Sequence, residues 1–308
     1  MPPSDLSPAD SGDVTQTRPL VLGEVLWDVF PDSTRLGGAP LNFAAHARRM
    51  GHAPLLISAV GEDDLGRRAV REIQSLGLDT SLLQRTEHFP TGRACVSLDA
   101  LGQAVFRIER PAAYDGLDLS AENIQTLRRW SPGWLYFGTL FSTRPEGRAI
   151  LFELLRLLPD ATRFYDLNLR PGFDVLPLVC ELLEQAQVVK MNQDEMHAIR
   201  RHLALPTKTE AFCAAASERF GLNAVCVTLG SRGCAILANG KYAENSGYRV
   251  AVADTVGAGD AFAAALLHGL AAKWDVAKIA RFANRVGALV ASKPGAIPDW
   301  TPAEAAAL

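Results

Sequence analysis

Between Asp254 and Asp260 the chain reads Thr-Val-Gly-Ala-Gly, and an Ala/Leu-rich helical pattern follows. A turn of that composition can aim several consecutive backbone N–H groups into one concavity. The dipole of the helix behind it favours negative charge at the same place, so the turn suits a phosphoryl group. Asp260 is the acidic side chain at the mouth of this cradle. An anion cradle with one carboxylate beside it is what phosphoryl transfer to an alcohol requires, and kinase chemistry is the expectation. The string lacks the third glycine of a dinucleotide fingerprint and lies late in the chain. No G-x-x-x-x-G-K-[ST] occurs either, so this is not a P-loop enzyme.

Four further groups of residues carry polar chemistry where strands are expected to end. Gly37-Gly38-Ala-Pro-Leu-Asn42 lets a polyol approach the backbone, and Asn42 offers both a donor and an acceptor. Asp28, just after the first strand, can accept from two hydroxyls. A paired glycine standing alone is more often an ordinary turn. Asp166, Asn168 and Arg170 alternate, which places them on one side of an extended segment. Arg170 suits a planar acceptor or a phosphate, and a capped loop with a salt bridge is the plainer alternative.

Lys190-Met-Asn192-Gln-Asp-Glu195 runs from a strand end into a helix start. Glu195 can hold a hydrated Mg²⁺ through water there. It can equally close a capping box with Asn192, and the two readings are compatible. Thr228-Leu-Gly230-Ser-Arg-Gly233 makes either a flat shelf for a nucleotide or a common β-turn, with Asn284 and Ala288 on a late helix as the other wall. Each group is weak alone. Their joint order is not.

Positioning such residues calls for a sheet. Short apolar runs at 134–137, 163–166, 188–191 and 224–228 alternate with helical stretches at 147–158, 174–185 and 208–220. That alternation predicts a mostly parallel sheet covered on both faces, with sites gathered at the carboxyl ends of strands. Upstream, a buried strand from Pro19 to Leu26 is followed by a helix at 42–50 closed by Gly51. A strand at 54–60 and a helix at 65–76 stopped by Gly77 come next. Period-two runs at 92–99 and 103–110 flank Ala100-Leu-Gly102 and predict a β-hairpin that leaves the sheet edge. Tyr248 to Ala253 reads as a strand entering the cradle.

At 308 residues and a net charge of −3, the chain suits one large α/β domain or two modest ones. Its Lys and Arg residues are scattered, which argues against a nucleic-acid partner. No apolar run approaches the roughly 20 residues that span a bilayer, so no membrane partner is expected. Residues 1–18 read as a disordered leader without targeting features, which points to the cytoplasm. Cys95, Cys180, Cys213, Cys226 and Cys234 form no C-x-x-C pair and read as reduced core thiols. His197 and His202 do not share a helix face well and read as surface residues rather than metal ligands.

In this order the motifs resemble the ribokinase/PfkB family of sugar kinases, from about Leu20 to Pro302. The resemblance implies a three-layer α/β/α sandwich over 19–308, with a mostly parallel sheet and a small β lid formed by roughly 27–36 and 88–115. It makes Asp260 the base that takes the sugar hydroxyl proton. The amides of Gly257, Ala258, Gly259 and Asp260 become the anion hole for the γ-phosphoryl group of ATP. A helix N-terminus stabilises the charged carboxylate and makes it a weak base, which suffices for a loose transition state with late deprotonation.

The same resemblance gives the sugar to Asp28, Gly37, Gly38, Asn42, Arg107, Asp166, Asn168 and Arg170. It gives ATP to Lys190, Asn192, Thr228, Gly230, Gly233, Asn284 and Ala288, and Mg²⁺ to Glu195 through water. Some members bind K⁺ near the anion hole, and Asp254, Val256, Val290, Lys293, Gly295 and Asp299 fall at the matching positions. Lys293 is alternatively a built-in positive charge there. The lid of the family often mediates dimerisation, so a homodimer is expected.

Gly23-Glu-Val-Leu-Trp-Asp28, the Gly-Gly-Ala-Pro-x-Asn variant, Asp166-x-Asn-x-Arg170-Pro and Arg110-Pro-Ala-Ala-Tyr-Asp115 look most like bacterial fructokinases. The Asp-x-Asn-x-Arg feature also occurs in 2-keto-3-deoxygluconate kinases, where the arginine meets a carboxylate. Arg170 with Arg93, Arg107 and Arg110 would serve such an acid sugar. Ala39-Pro40 replaces the lysine and glycine of a ribokinase, which argues against ribose. A non-catalytic sugar binder on the same fold has no need of Asp260 with an intact Gly257-Ala-Gly259. A nucleoside kinase would want an aromatic pocket under the lid, for which Trp27, Phe106 and Tyr114 are available.

Overall fold

The structure, a computed structural model, describes residues 16–98, 104–169 and 175–308, with backbone alone at 96–98 and 104–106. Its frame is a nine-stranded sheet in the order β13-β12-β11-β10-β9-β8-β1-β4-β5. The strands are β1 (Pro19–Leu22), β4 (Leu55–Gly61), β5 (Leu83–Thr86), β8 (Trp134–Gly138), β9 (Thr162–Asp166), β10 (Val188–Asn192), β11 (Ala224–Thr228), β12 (Cys234–Ala238) and β13 (Lys241–Asn245). From β5 to β11 every neighbouring pair is parallel, and β12 and β13 close one edge antiparallel. A smaller mixed sheet, in the order β3-β2-β6-β7, holds β2 (Leu26–Val29), β3 (Thr34–Gly37), β6 (Gly92–Leu98) and β7 (Ala104–Ile108).

The helices are α1 (Ala39–Arg49), α2 (Asp64–Ser75), α3 (Ala121–Trp130), α4 (Thr139–Ser142), α5 (Pro145–Leu157) and α6 (Leu176–Gln185). They continue with α7 (Gln193–Leu203), α8 (Thr209–Phe220), α9 (Ala258–Ala271), α10 (Val276–Ala291) and α11 (Pro302–Ala307). Alternation along the central strands divides the core in two. Val21 packs with α1, α2, α9 and α10, whereas Leu20 and Leu22 pack with α3, α5, α6, α7 and α8. A strand buried on both faces must be apolar throughout, which is why β1 and β4 carry no alternation. The result is the three-layer sandwich with a β lid that the sequence implied.

Three expectations change. The first strand stops at Leu22 because Gly23 turns the chain with φ 149°, and a side chain there would meet Pro40 at 2.5 Å. Residues 23–25 of its expected continuation form no strand, and Leu26 opens β2, which belongs to the lid. Residues 248–253 form no strand, since the Ala253 and Asp254 amides donate to the Ala291 carbonyl at the end of α10. The leader assigned to 1–18 lies largely outside the described residues. Its last two residues are part of the body, where Thr17 meets His52 and Arg18 meets the Trp130 carbonyl. Among the described residues no helix is long and apolar enough to cross a membrane. All five cysteines are free thiols, three of them buried.

Candidate active site

Under the lid, at the carboxyl ends of the parallel strands, lies a cavity of about 230 Å³. Its floor comes from α1 and from the turn before α9, through Gly38, Asn42, Thr255, Val256, Gly257, Gly259 and Asp260. Its roof comes from the lid through Leu26, Asp28, Ala94 and Ile108, with Glu24 and Asn168 at the sides. The two glycines before α1 are demanded by packing. A side chain on Gly38 would sit 2.4 Å from the Glu24 carbonyl oxygen, and one on Gly37 would sit 2.9 Å from the Asp28 carboxylate. Gly37 therefore makes room for Asp28, and it is not among the residues that line the cavity.

Asp260 lies in the first turn of α9 and is buried; its Oδ2 accepts the Asn42 Nδ2–H at 2.8 Å. The helix starts at Gly257, in the left-handed region with φ 79°, where a Cβ would meet the Ala296 carbonyl oxygen at 2.3 Å. Only glycine fits there. The Ala258 amide closes the turn on the Thr255 carbonyl at 3.3 Å, so of the four expected anion-hole donors this one already has an acceptor. Two polar atoms of the cavity residues are buried without a protein partner, Asn42 Oδ1 and Asn168 Nδ2.

Behind the turn runs a buried ionic group. Lys190 Nζ lies 3.0 Å from Asp166 Oδ1, and Asp166 Oδ2 accepts the Tyr136 hydroxyl at 3.0 Å. Burial alone would lower the lysine's pKa, but the carboxylates of Asp166, Asp260 and Glu195 prevail and raise it, so it stays charged. Burial likewise raises Tyr136 and keeps it a neutral donor. Lys190 Nζ would lie only 3.3 Å from a Cβ on Gly259, which sets a positive charge against the turn expected to form the anion cradle. Asn192 and Glu195 form the capping box of α7. Asn192 Oδ1 accepts the Glu195 amide at 2.9 Å, while the Glu195 carboxylate accepts the Asn192 and Leu169 amides, each at 2.7 Å.

Further along the strand ends, Thr228 closes β11 and Gly230 is exposed. Gly233 is packed against the Asn245 carbonyl, which a Cβ would approach to 1.9 Å. Asn284 Nδ2 donates to the Asn245 side-chain Oδ1 and to the Ser246 carbonyl, each at 2.9 Å, and so fixes that edge. Ala288, half-buried one turn later on α10, sits beside Gly287, which faces the Ala258 carbonyl. At Gly287, α10 thus borders the start of α9.

Residues 15–303 match the pfkB family of carbohydrate kinases. The chain belongs to that family. A fructokinase of Escherichia coli is 29% identical over 297 residues, covering 90% of this chain and 94% of its own length. A fructokinase of Salmonella typhimurium is 32% identical over 266 residues, covering 82% and 84%. Among solved structures, a fructokinase of Xylella fastidiosa with bound ATP superposes with a TM-score of 0.82 at 25% identity, covering 94% of this chain and 97% of its own. The chain is a phosphotransferase with a sugar acceptor.

Within this pfkB kinase the structure moves several residues from their expected places. Asp166 is fully buried on Lys190 and does not line the cavity. Arg107 is exposed on the face of β7 opposite Ile108, and it is Ile108 that reaches the cavity. Arg170 lies outside the described residues. Glu24, buried and lining the cavity, was missed, although a carboxylate beside Gly23 at a strand end is a readable signal. Lys293 turns to the Asp299 carbonyl at 2.6 Å and to Glu304 at 2.8 Å, and the Asp299 carboxylate meets Arg49 at 2.6 Å. Asp254 receives the Arg35 guanidinium at 3.0 Å.

Proposed function

We propose that this kinase transfers the γ-phosphoryl group of ATP to a primary hydroxyl of a ketose, converting D-fructose to fructose 6-phosphate. One observation carries the reading. Asn42 Oδ1 and Asn168 Nδ2 are a buried acceptor and a buried donor without protein partners, and both residues line the cavity. Leaving such atoms unmet is costly, and sugar hydroxyls supply what each lacks. The charged side chains among the described lining residues are Glu24, Asp28 and Asp260, all acidic. Three carboxylates suit a neutral polyol and repel an acid sugar. Two lid arginines are already committed, Arg93 to Glu109 and Arg110 to Asp115. The E. coli and Salmonella relatives, both fructokinases, agree with this choice.

In the reaction Asp260 receives the proton of the hydroxyl as its oxygen bonds to the γ-phosphorus and the bond to the departing ADP breaks. The amides at the start of α9 and the Lys190 ammonium face the charge that develops on the transferred group. A hydrated Mg²⁺ fits the remaining lone pairs of the Glu195 carboxylate and, when bound, neutralises phosphate charge. A homodimer through the lid and a cytoplasmic location belong to the same proposal, and a monomer in sedimentation at working concentration would remove the dimer. A coupled ADP-release assay over fructose, tagatose, ribose, adenosine and 2-keto-3-deoxygluconate tests the substrate. Fructose should lead in kcat/KM by at least about tenfold, the scale set by unmatched hydrogen-bonding groups. A lead for the acid sugar overturns the assignment.

A further inference from the structure

The positions matched to a monovalent cation are held by the chain's own donors. Asp254 Oδ1 accepts the Val256 amide at 3.0 Å, and Oδ2 accepts the Gly295 amide at 3.2 Å together with the Arg35 guanidinium at 3.0 Å. The Val290 carbonyl accepts the Lys293 amide at 3.0 Å, and the Asp299 carbonyl accepts Lys293 Nζ at 2.6 Å. A bare K⁺ needs several oxygens at once to replace its water shell. Here the Asp254, Val290 and Asp299 oxygens already serve N–H donors, and the ion would face Arg35 and Lys293 as like charges. The residues as arranged do not fit a monovalent cation.

Arg35 is placed to do that ion's work. It stands on lid strand β3, in register with Asp28 of β2, and its guanidinium lies 5.1 Å from the Phe30 ring centroid. Asp254 opens the turn that ends in Gly257 and α9. The Gly295 amide on Asp254 and the contact of Gly257 with Ala296 join this turn to residues 295–296. We infer that Arg35 substitutes for a monovalent cation in this kinase. Delivered by the lid, it neutralises Asp254 and fixes the turn that forms the phosphoryl cradle. Turnover therefore needs no added K⁺, and the cradle is set only when the lid strand is in place.

The inference rests on sugar-kinase activity and not on which sugar is used, so the best substrate of the panel serves. Turnover is measured for wild type and Arg35→Ala in tetramethylammonium chloride and in KCl, both at about 100 mM to match screening. Thermal midpoints are read in the same buffers without substrate. Wild type should be equally active and equally stable in both salts. Arg35→Ala should lose roughly three- to fivefold in kcat without K⁺, the scale of a half-exposed ion pair. KCl should restore it and raise its midpoint, while Arg35→Lys stays independent of K⁺. If Arg35→Ala does not fold, Arg35→Gln takes its place with the same expectations. Activation of wild type by K⁺ overturns the inference. So does a variant that loses nothing, or one whose loss KCl leaves untouched.

Discussion

In the proposed reaction Asp260 acts through where it is held. Asn42 donates to one of its oxygens, and the first turn of α9 brings it beside the glycine cradle. Replacing it with asparagine keeps the shape and removes the proton acceptor. Asp260→Asn should lower kcat by roughly a thousandfold and leave the equilibrium affinity for the sugar nearly unchanged. Wild-type turnover in that variant would take Asp260 out of the mechanism. This part of the site was legible because a cradle of backbone amides and one carboxylate are written in seven consecutive residues. Asp166 was not legible in the same way. Strict alternation puts Asp166 and Asn168 on one side, but Asn168 adopts φ 45°, which breaks the strand geometry between them. Asp166 can then meet Lys190 in the core while Asn168 lines the cavity. Arg107 failed through the same sensitivity: a period of two means that one residue's difference in placement changes the face.

At the scale of elements, local signals held where the chain's neighbours in sequence are also its neighbours in space. The parallel strands and their helices follow from apolar runs and stops. The β12–β13 hairpin was passed over even though it turns on Asn239-Gly240, with φ 49° and 76°, a strong hairpin signal. Residues 248–253 differ in the other direction: the Ala253 amide finds the end of α10 rather than a strand, and composition does not reveal that partner. Asp63 shows how much one cap can join. Its Oδ1 accepts the Gly66 amide at 2.7 Å and the Thr91 hydroxyl at 2.6 Å, and its Oδ2 accepts the Thr91 amide at 2.8 Å. It thus caps α2 and anchors the entry to lid strand β6. Asp63→Ala should cost about 1–2 kcal/mol in urea unfolding. The same variant should raise KM for the sugar, because the lid loses its anchor. An unchanged KM alongside lost stability would show that the cap serves α2 alone.

The whole molecule depends on one layer, α1 with α9 and α10, staying seated against the sheet, and three buried histidines pin it. His46 of α1 donates Nε2–H to the Ala296 carbonyl at 3.0 Å, and its Nδ1 accepts the Trp300 indole N–H at 3.0 Å. His52 meets His268 of α9 at 3.0 Å. A proton added to His46 would set two N–H donors face to face, and one shared by the His52–His268 pair leaves no room for a second. Burial holds all three down at about 4, with charge neighbours adding to it: Arg49 at His46, His268 at His52 and Lys278 at His268. In the unfolded chain each takes its proton near pH 6.5. Between those values the unfolded state binds more protons than the fold, so stability rises with pH across the window and is lost as pH falls from about 6.5 towards 4. Each histidine contributes up to about 1.4 kcal/mol per pH unit there. Urea unfolding at pH 7, 6, 5.5 and 5 (values spanning roughly the upper half of the window) should show this slope. His46→Gln should flatten it by one histidine's share, whatever it does to the stability at pH 7. A variant that is merely less well packed would shift the whole curve and keep its slope, and that result would remove His46 from the acid response.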